Sequence, residues 1–476
     1  MNVMADTNPR INARPGLIIP VESQVRELDA KLLFASCAAE RGYPVILGSR
    51  AYVHFEIGSM PPGIYVAKSM RSISALMFRL IRKLGHDIIA WEEEALVHPP
   101  ADVFYPLRLS PQTLRRVSHL FAWGPDNEAL MLGYPELPSQ LRIHVTGNPR
   151  GDMLRQELSP YFKEEVRNLR DTYGQFILLN TNFTDVNPYL PGIGLFVPNS
   201  DPKKPRRLGQ AGKGMPRPFA EGLELHKQRI MDDFLAMIPA LEKALPGVMI
   251  VIRPHPSEEH RAYHGLAARC SRVVVNNEGN VLPWLRACSL LVHNGCTTAA
   301  EAYAMGVPAV AYLKTFDERY DVDFQGMPNQ LSQQCFTLDE LIVAATRILA
   351  GQAADDCKDS EKEVLIDNYL AARSGQFACE RILDILDQQY RDPDSLPAPP
   401  KAGRLQAKFL TRLKAVVTRL NMQRPGPNRQ AYHDHRFPPV TATQLEEKIQ
   451  RMGHVLQRFD KVRVHQRSEH VFHIGN

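Results

Sequence analysis

Short hydrophobic runs alternate with amphipathic segments through the first third of the chain. Runs such as GLIIPV (16–21), PVILG (44–48) and DIIAW (87–91) are rich in aliphatic and β-branched residues. The segment SMRSISALMFRLIRKLG (69–85) instead repeats its apolar residues at helical spacing and ends in glycine. Alternating short strands and helices predict a parallel sheet that is covered on both faces.

A second series of the same kind starts near residue 174. Its strands are QFILLNTNF (175–183), GVMIVIRPHP (247–256) and LLVHN (290–294). We therefore predict an α/β protein with two Rossmann-like, doubly wound domains and a C-terminal helical basic extension. In such sheets a ligand binds beyond the carboxyl ends of the strands.

The pattern also predicts where the domains begin and end. A first Rossmann-like domain is predicted at 1–158 and a second at 174–358. The second domain contains an irregular insertion at 184–222 that is rich in Pro, Gly and basic residues. A C-terminal helix at 359–392 could return to the first domain, and a linker with a basic tail follows at 393–476. Insertions of that length are typical of lids, binding loops or disordered segments.

Composition indicates a globular protein. The 476 residues are 44% hydrophobic and 23% charged, and no apolar run approaches the length of a membrane span. The seven cysteines are scattered without a CxxC pair, and the opening lacks the order of a signal peptide. We expect a cytoplasmic protein without disulfides and without a metal site.

Charge is distributed unevenly along the chain. Residues 401–476 hold 15 Lys and Arg against 5 Asp and Glu, while the first 400 hold 42 against 47. The helical stretch 404–424 combines an apolar stripe with basic residues. This favours peripheral attachment to the inner membrane surface, with packing against the body of the protein as the alternative. No nucleic-acid-binding module is recognisable.

Two donors end the strand that carries the RPHP segment. Arg253 offers a planar fork for phosphate oxygens, and His255 can donate to a departing phosphate. The flanking prolines stiffen the exit of the strand. The alternative is a strand end with ordinary surface polar residues.

The segment HNGCTTAAEAYAMG predicts a strand, a tight turn and a helix. Gly295 lets the backbone approach a ligand, while Thr297 and Thr298 lie where helix N–H groups attract an anion. Glu301 follows one turn later and could accept ribose hydroxyls, and His293 ends the preceding strand. An N-capped core helix is the alternative.

Three consecutive carboxylates, Glu92 to Glu94, follow a buried strand in WEEEAL. Like-charge repulsion and burial should raise at least one of their pKa values. Such a carboxylate could act as a general base or as a nucleophile. A solvated acidic strand end is the alternative.

Together these motifs resemble the GT-B glycosyltransferases over about residues 1–390. RPHP followed by G-x-T-T-x-x-E resembles the donor half of Kdo transferases and CDP-glycerol phosphotransferases. VTGNPRGDML (145–154) is similar to a crossover segment of the latter. The opening, 18–48, resembles surface carbohydrate biosynthesis proteins.

The resemblance implies roles for individual residues. Glu93 and Glu94 match a catalytic acidic pair, with Glu in place of Asp and Ala95 in place of Gly. The implied donor-binding residues are Arg253, His255, His293, Gly295, Thr297, Thr298 and Glu301. Residues expected at the acceptor or cleft, with structural roles as the alternative, are Arg26, Lys68, Asn148 and Arg150. No metal and no cofactor are implied, because the nucleotide-sugar is a substrate.

The resemblance further implies transfer of a sugar from a nucleotide donor, of CMP or CDP type, to a glycan or lipid-linked acceptor of bacterial capsule or lipopolysaccharide synthesis. Three alternatives stay open: a CDP-glycerol or CDP-ribitol phosphotransferase, a sugar-nucleotide 2-epimerase and a non-catalytic assembly factor.

Overall fold

The computed structural model describes residues 14–199, 201, 204–352, 360–391, 395–423 and 430–476. The chain divides into two compact units. Unit 1 comprises Met1–Leu96, Ala101–Tyr161 and Asn368–Asn476, and unit 2 comprises Val97–Pro100 and Phe162–Asp367.

The first part of unit 1 alternates strands and helices. Its strands are β1 (Gly16–Val21), β2 (Val45–Ser49), β3 (Gly63–Ala67), β4 (Asp87–Ala90), β5 (His119–Ala122) and β6 (Arg142–Val145). Its helices are α1 (Gln24–Glu40), α2 (Arg50–Glu56), α3 (Ala75–Leu84), α4 (Ala101–Arg108), α5 (Pro111–Leu114), α6 (Pro125–Leu132) and α7 (Pro149–Asp152). Short 3-10 turns occupy Ile57–Ser59, Ser72–Ser74 and Gln156–Phe162.

Unit 2 follows with the same alternation. Its strands are β7 (Phe176–Asn180), β8 (Met249–Arg253), β9 (Val273–Val275), β10 (Leu290–His293), β11 (Ala309–Tyr312) and β12 (Gln333–Cys335). Its helices are α8 (Lys163–Tyr173), α9 (Arg217–Ala244), α10 (Arg261–Ala267), α11 (Val281–Ala287), α12 (Thr297–Ala304), α13 (Glu318–Leu331), α14 (Leu338–Leu349) and α15 (Ser360–Tyr369), the last ending across the unit boundary.

The chain then returns to unit 1. This part contains α16 (Ala378–Gln389), α17 (Lys401–Met422), α18 (Gln430–Arg436), α19 (Ala442–Leu456), β13 (Arg463–Ser468) and β14 (Val471–Gly475). Asp152 connects it to the first part, because its buried carboxylate accepts hydrogen bonds from the N–H groups of Ala378 (2.7 Å) and Cys379 (2.9 Å) at the start of α16.

Both sheets are built on a parallel core. The strand order is β13-β14-β2-β1-β3-β4-β5-β6 in unit 1 and β12-β11-β10-β7-β8-β9 in unit 2. Strands β1 to β6 and all six strands of unit 2 run parallel. Their central strands are almost wholly buried, as continuous apolar runs require. The predicted α/β class with two Rossmann-like units is confirmed.

The end of the chain differs from the predicted linker and basic tail at 393–476. β14 pairs antiparallel with β2, and β13 pairs antiparallel with β14, so this hairpin completes the sheet of unit 1. β13 is mostly polar, and the buried apolar run of β14 is short, so the sequence pattern did not predict a hairpin here. Burial against β2 decides the pairing, and only the folded chain supplies β2 as a partner.

The insertion at 184–222 is also more ordered than the sequence indicates. Leu195, Phe196, Ala220 and Leu223 form a small buried cluster. Helix α9 begins at Arg217, inside the predicted insertion.

The hairpin predicts a stability effect at Phe472, whose side chain is fully buried. Phe472→Ala should lower the free energy of unfolding by about 3–5 kcal/mol, because it leaves a cavity against β2. Urea unfolding followed by circular dichroism measures the change. The control, His465→Ala on the exposed side of β13, should leave the midpoint unchanged. Equal midpoints for both variants would contradict a firmly docked hairpin.

Candidate functional site

The first candidate site lies in unit 2, where the strand order reverses. From β7 the chain adds β8 and β9 on one side and then returns to place β10 on the other side. The crevice beyond the carboxyl ends of β7 and β10 is therefore a topological switch point, the position at which ligands bind in open α/β sheets. Asn180 ends β7, and His293 ends β10.

Side chains bridge this crevice. The side-chain amide of Asn180 donates to the hydroxyl oxygen of Thr298 over 2.9 Å, and that of Asn182 lies 3.5 Å from the carbonyl oxygen of Gly295. Gly295 adopts φ +86°, a conformation that favours glycine. The tight turn therefore brings the start of α12 to the end of β7.

The first turn of α12 is suited to an anion. It begins at Thr297 and contains no acidic side chain, so the positive end of the helix dipole is not neutralised there. Thr297 and Thr298 are partly exposed, while Glu301 is buried one turn later. The structure thus places Gly295, both threonines and Glu301 on one turn and one helix.

Asn180 supplies a second indication of a ligand. Its side chain is only 5% exposed, and within the described part of the chain its carbonyl oxygen Oδ1 has no hydrogen-bond partner. A buried acceptor of this kind normally receives a hydrogen bond. A ligand hydroxyl or N–H at the crevice would provide one. Asn180 was not among the residues predicted from the sequence, because the Gly295 turn and Thr298 that give it this position are more than a hundred residues away in the chain.

His293 serves the turn itself. Nδ1 accepts a hydrogen bond from the N–H of Gly295 (2.9 Å), and Nε2 bonds to the hydroxyl of Ser332 (2.8 Å). Burial lowers the pKa of His293 to about 3, so the ring is neutral. Both nitrogens are engaged within the protein, so the structure gives His293 a role in shaping the turn.

Arg253 likewise supports a loop. Its guanidinium donates to the carbonyl oxygens of Glu278 (2.9 Å) and Gly279 (2.6 Å) and lies 5.3 Å from the ring centre of Trp284. Burial lowers the pKa of Arg253 to about 10, which keeps it charged at neutral pH. These contacts position the loop between β9 and α11.

The exits of β7 and β8 are joined by a carboxylate that sequence analysis missed. Glu258 is 1% exposed, and its carboxylate accepts hydrogen bonds from the hydroxyl of Thr181 (3.0 Å), the N–H of Phe183 (2.9 Å), the N–H of His255 (3.3 Å) and the hydroxyl of Tyr263 (2.5 Å). Burial raises the pKa of Glu258, and these hydrogen bonds oppose the rise. Glu258 lies within the RPHPSEEH segment, but the sequence alone predicts that a glutamate after two prolines is at the surface.

Glu258 also sets the orientation of the RPHP loop. His255 is partly exposed, and its Nδ1 accepts a hydrogen bond from the N–H of Ser257 (3.2 Å). In the neutral form of the ring, this contact places the proton on Nε2. That N–H is a donor suited to an anion.

The second candidate site lies in unit 1, at its own switch point between β1 and β3. Lys31 Nζ donates to Glu27 (2.6 Å) and to the carbonyl oxygen of Pro20 (2.7 Å). Lys68 Nζ lies 3.0 Å from Glu27 Oε1 and 2.8 Å from Glu22 Oε2. Lys68, predicted near the acceptor, is thus part of a largely buried network of alternating charge.

Cations hold the two carboxylates of this network ionised. Burial alone would raise the pKa of Glu22, but Arg50, Lys68 and Arg436 hold it at about 2. Burial would also raise the pKa of Glu27, yet Lys31 and Lys68 keep it well below its usual range. Arg436 comes from α18, so the returning end of the chain supplies part of the site. No local signal in the sequence indicated this.

The three glutamates after β4 have different surroundings. Glu93 is 2% exposed and accepts a hydrogen bond from the indole N–H of Trp91 (2.7 Å). Glu92 is 1% exposed and lies 3.3 Å from Arg108, while its Oε2 has no hydrogen-bond partner among the described residues. Burial raises the pKa of Glu92 to about 7. The raised pKa expected of this triplet therefore belongs to Glu92.

Glu94 is the accessible member of the triplet. Its side chain is 31% exposed and lies 3.0 Å from Arg26. Burial would raise its pKa, but Arg26, Arg150, Arg108 and Lys68 hold it at about 2. Glu94 is therefore ionised throughout the physiological range. The structure brings together the predicted residues Arg26, Arg150 and Glu94.

The crossover segment 145–154 contributes through its turn. Buried Asn148 accepts a hydrogen bond from the N–H of Arg150 (2.9 Å) and caps α7. Arg150 then reaches the carbonyl oxygen of Glu93 (3.2 Å) and lies 5.6 Å from the ring centre of Trp123. Asn148 acts by positioning Arg150.

Within the residues that the structure describes, no group of three or more His, Cys, Asp or Glu is placed to hold a metal ion. The expected independence of metal and cofactor stays a prediction.

The molecule is thus an α/β protein with two Rossmann-like units, each with polar residues at the carboxyl edge of its sheet. No protein-family model matches the sequence, and no curated protein matches it.

Solved structures provide the remaining comparison. The wall teichoic acid polymerase TagF is 10% identical with a TM-score of 0.48, covering 80% of this chain and 90% of that one. The UDP-GlcNAc 2-epimerase of Methanocaldococcus jannaschii, solved with UDP-GlcNAc and UDP, is 16% identical with a TM-score of 0.47, covering 78% and 99%. Another UDP-N-acetylglucosamine 2-epimerase is 11% identical with a TM-score of 0.48, covering 82% and 98%.

Glu92 predicts a pH dependence of stability. Its pKa is about 7 in the folded protein against 4.5 for an ordinary glutamate, so the native state loses stability as pH rises from about 4.5 to about 7. Glu92→Gln removes that loss. The variant should match the wild type at pH 5 and exceed it by up to about 3 kcal/mol at pH 8 in urea unfolding. Exposed Glu136→Gln is the control. A wild-type advantage at pH 8 would contradict the raised pKa.

Proposed function

We propose that the chain is a glycosyltransferase that takes a sugar from a nucleotide donor bound at the switch point of unit 2. The observation that carries this proposal is the Asn180–Thr298 bridge beside the Gly295 turn and the first turn of α12. A phosphate fits this place because helix N–H groups and threonine hydroxyls donate to its oxygens. Asn180 Oδ1 offers an acceptor for a hydroxyl of the same ligand.

In this proposal each residue of the unit 2 site has a chemical role. Thr297 and Thr298 bind the phosphate group, and Glu301 accepts hydrogen bonds from ribose hydroxyls. His255 donates from Nε2 to the phosphate as its negative charge grows. Arg253 and His293 act indirectly, by holding the loop after β9 and the Gly295 turn. The preference for a CMP or CDP donor rests only on the resemblance of the sequence motifs.

Unit 1 is proposed to bind the acceptor, which is a glycan or a lipid-linked molecule of surface polysaccharide synthesis. It also supplies Glu94 as the catalytic carboxylate. Transfer breaks the bond between the anomeric carbon and the phosphate oxygen, whose electron pair leaves with the nucleotide. The acceptor oxygen forms the new bond to that carbon, and the proton of the acceptor hydroxyl passes to solvent water. A carboxylate with a pKa of about 2 is a weak base, so its charge favours nucleophilic or electrostatic action over proton abstraction. Arg26 and Arg150 offer cations to an anionic acceptor.

Two other enzyme activities and one non-catalytic role fit the same residues, and experiments can distinguish them. A CDP-polyol phosphotransferase would add glycerol phosphate or ribitol phosphate in place of a sugar. A sugar-nucleotide 2-epimerase would convert its substrate without an acceptor. A non-catalytic assembly factor would support polysaccharide production even after Glu94 is replaced.

The donor site predicts nucleotide-dependent stabilisation. Among CMP, CDP, UDP, GDP and their sugar conjugates, the cognate nucleotide should raise the melting temperature, corresponding to about 2.7 kcal/mol at a hundredfold excess over its dissociation constant. Thr298→Val should abolish the shift, and it should also lower the ligand-free melting temperature, because the buried amide of Asn180 loses its acceptor. Thr346→Val, an exposed threonine of α14 in the same unit, is the matched control and should retain the shift. A shift that survives Thr298→Val would place the nucleotide elsewhere.

Replacing Glu94 is expected to reduce turnover while the protein still folds. With the donor found by that screen, Glu94→Gln should lower the rate of product formation by at least about a hundredfold, since the carboxylate charge is lost. Mass spectrometry of the product measures the rate and distinguishes sugar transfer from polyol phosphate transfer. Glu136→Gln should retain full activity. Undiminished turnover in Glu94→Gln would remove Glu94 from the mechanism.

A further inference from the structure

Helix α17 contacts the rest of unit 1 mainly through small side chains. The buried residues of this 22-residue helix are Ala407, Thr411, Ala415 and Met422. It packs against α2, α3 and the 3-10 turn at Ile57–Ser59. Thr411 lies where any side chain on Gly58 would collide with it, so the helix sits close to the body of unit 1.

The large apolar side chains of α17 point the other way. At about 3.6 residues per turn they lie on the side of the helix opposite the buried face. They form the outward stripe, whose members are 36–68% exposed: Leu405, Phe409, Leu410, Leu413, Val416, Val417 and Leu420. A helix that only packs on its own protein buries its large apolar residues and exposes its small ones, so this arrangement is inverted.

The stripe also stands out within the whole protein. Its seven residues are a third of the 21 large hydrophobic residues that are exposed in the described part of the chain. Single exposed apolar residues are ordinary, whereas a contiguous exposed patch marks an interaction surface.

The charge of α17 indicates the partner. The helix carries six basic residues, Lys401, Arg404, Lys408, Arg412, Lys414 and Arg419, and no acidic residue. Most of them flank the stripe on one side, and Lys414 lies on the other. The neighbouring α3 adds Arg79 and Lys83 and likewise contains no acid, while its Arg82 is paired with Asp87 of β4. Pairing with a second copy of the same face would bring these positive charges together, so self-association is disfavoured.

An anionic lipid surface satisfies both features. The apolar stripe can enter the boundary between headgroups and acyl chains while the basic flank meets anionic headgroups. No helix in the described ranges has the length and apolar character to cross a bilayer. We propose that the outward stripe of α17 docks unit 1 on the surface of an anionic lipid bilayer, with the helix lying in the plane of the interface.

Vesicle flotation tests the proposal without any substrate, so its outcome is independent of the proposed glycosyl transfer. The full chain is mixed with vesicles of phosphatidylcholine alone or of phosphatidylcholine with phosphatidylglycerol. We expect the wild type to bind the anionic vesicles at least about tenfold more tightly, because each basic residue near an anionic surface contributes favourably. Equal binding to both vesicles, or no binding to either, would overturn the proposal.

Two variants separate the contributions of the stripe and its basic flank. Phe409→Glu/Leu413→Glu/Leu420→Glu should weaken binding by at least about a hundredfold, since three apolar side chains no longer leave water. Lys408→Gln/Arg412→Gln/Lys414→Gln should reduce binding to the anionic vesicles towards the level on phosphatidylcholine.

The matched control carries the same charge change on exposed apolar residues of unit 2. Leu225→Glu/Val343→Glu/Val364→Glu replaces side chains that are 63%, 67% and 72% exposed and should bind like the wild type. Circular dichroism checks that all variants fold. If the stripe variant and this control bind equally, or if the stripe variant only dissociates a dimer in sedimentation without affecting vesicle binding, α17 is not a lipid-binding surface.

Discussion

One buried carboxylate in each unit joins the loops that leave the central strands. In unit 1, Glu27 accepts hydrogen bonds from the N–H groups of Glu22 (3.0 Å) and Ser23 (3.2 Å), directly after β1. In unit 2, Glu258 accepts from the N–H groups of Phe183 and His255, directly after β7 and β8. Backbone N–H groups at the carboxyl edge of a parallel sheet need acceptors once they are buried, and a carboxylate can satisfy several. The loops that follow β1, β7 and β8 depend on these two anchors.

Buried polar groups need hydrogen-bond partners, and this need separates the side chains that support the structure of each site from those that remain accessible. Arg253, His293 and Glu93 have the residue types of a catalytic centre, yet their polar atoms are used inside the protein. Thr298, His255 and Glu94 remain partly exposed at the edges of the sheets. Of the three adjacent glutamates, burial makes Glu92 a weak acid, while surrounding arginines make Glu94 a strong one. Environment, rather than residue type, assigns their chemistry.

The returning end of the chain connects the fold with the site. Asp152 caps α16, β14 extends the sheet beside β2, and Arg436 reaches Glu22 at the switch point of unit 1. α17 lies between these elements in sequence and exposes its large apolar side chains. The basic end of the chain is thus built into unit 1, while one of its helices retains a surface suited to a partner.

The sequence by itself determined the α/β class, the two strand series, most strand positions and the start of α12, because these follow from local apolar periodicity and from turn-forming glycine. It also placed Thr298, His255 and Glu94 at strand exits, because polar residues directly after an apolar run mark the edge of a sheet. Glu258, Asn180, Arg436 and the β14 pairing were decided only by the tertiary structure. Each depends on a partner distant in the chain, such as Thr298 for Asn180 and β2 for β14, and burial decides which polar atoms are engaged.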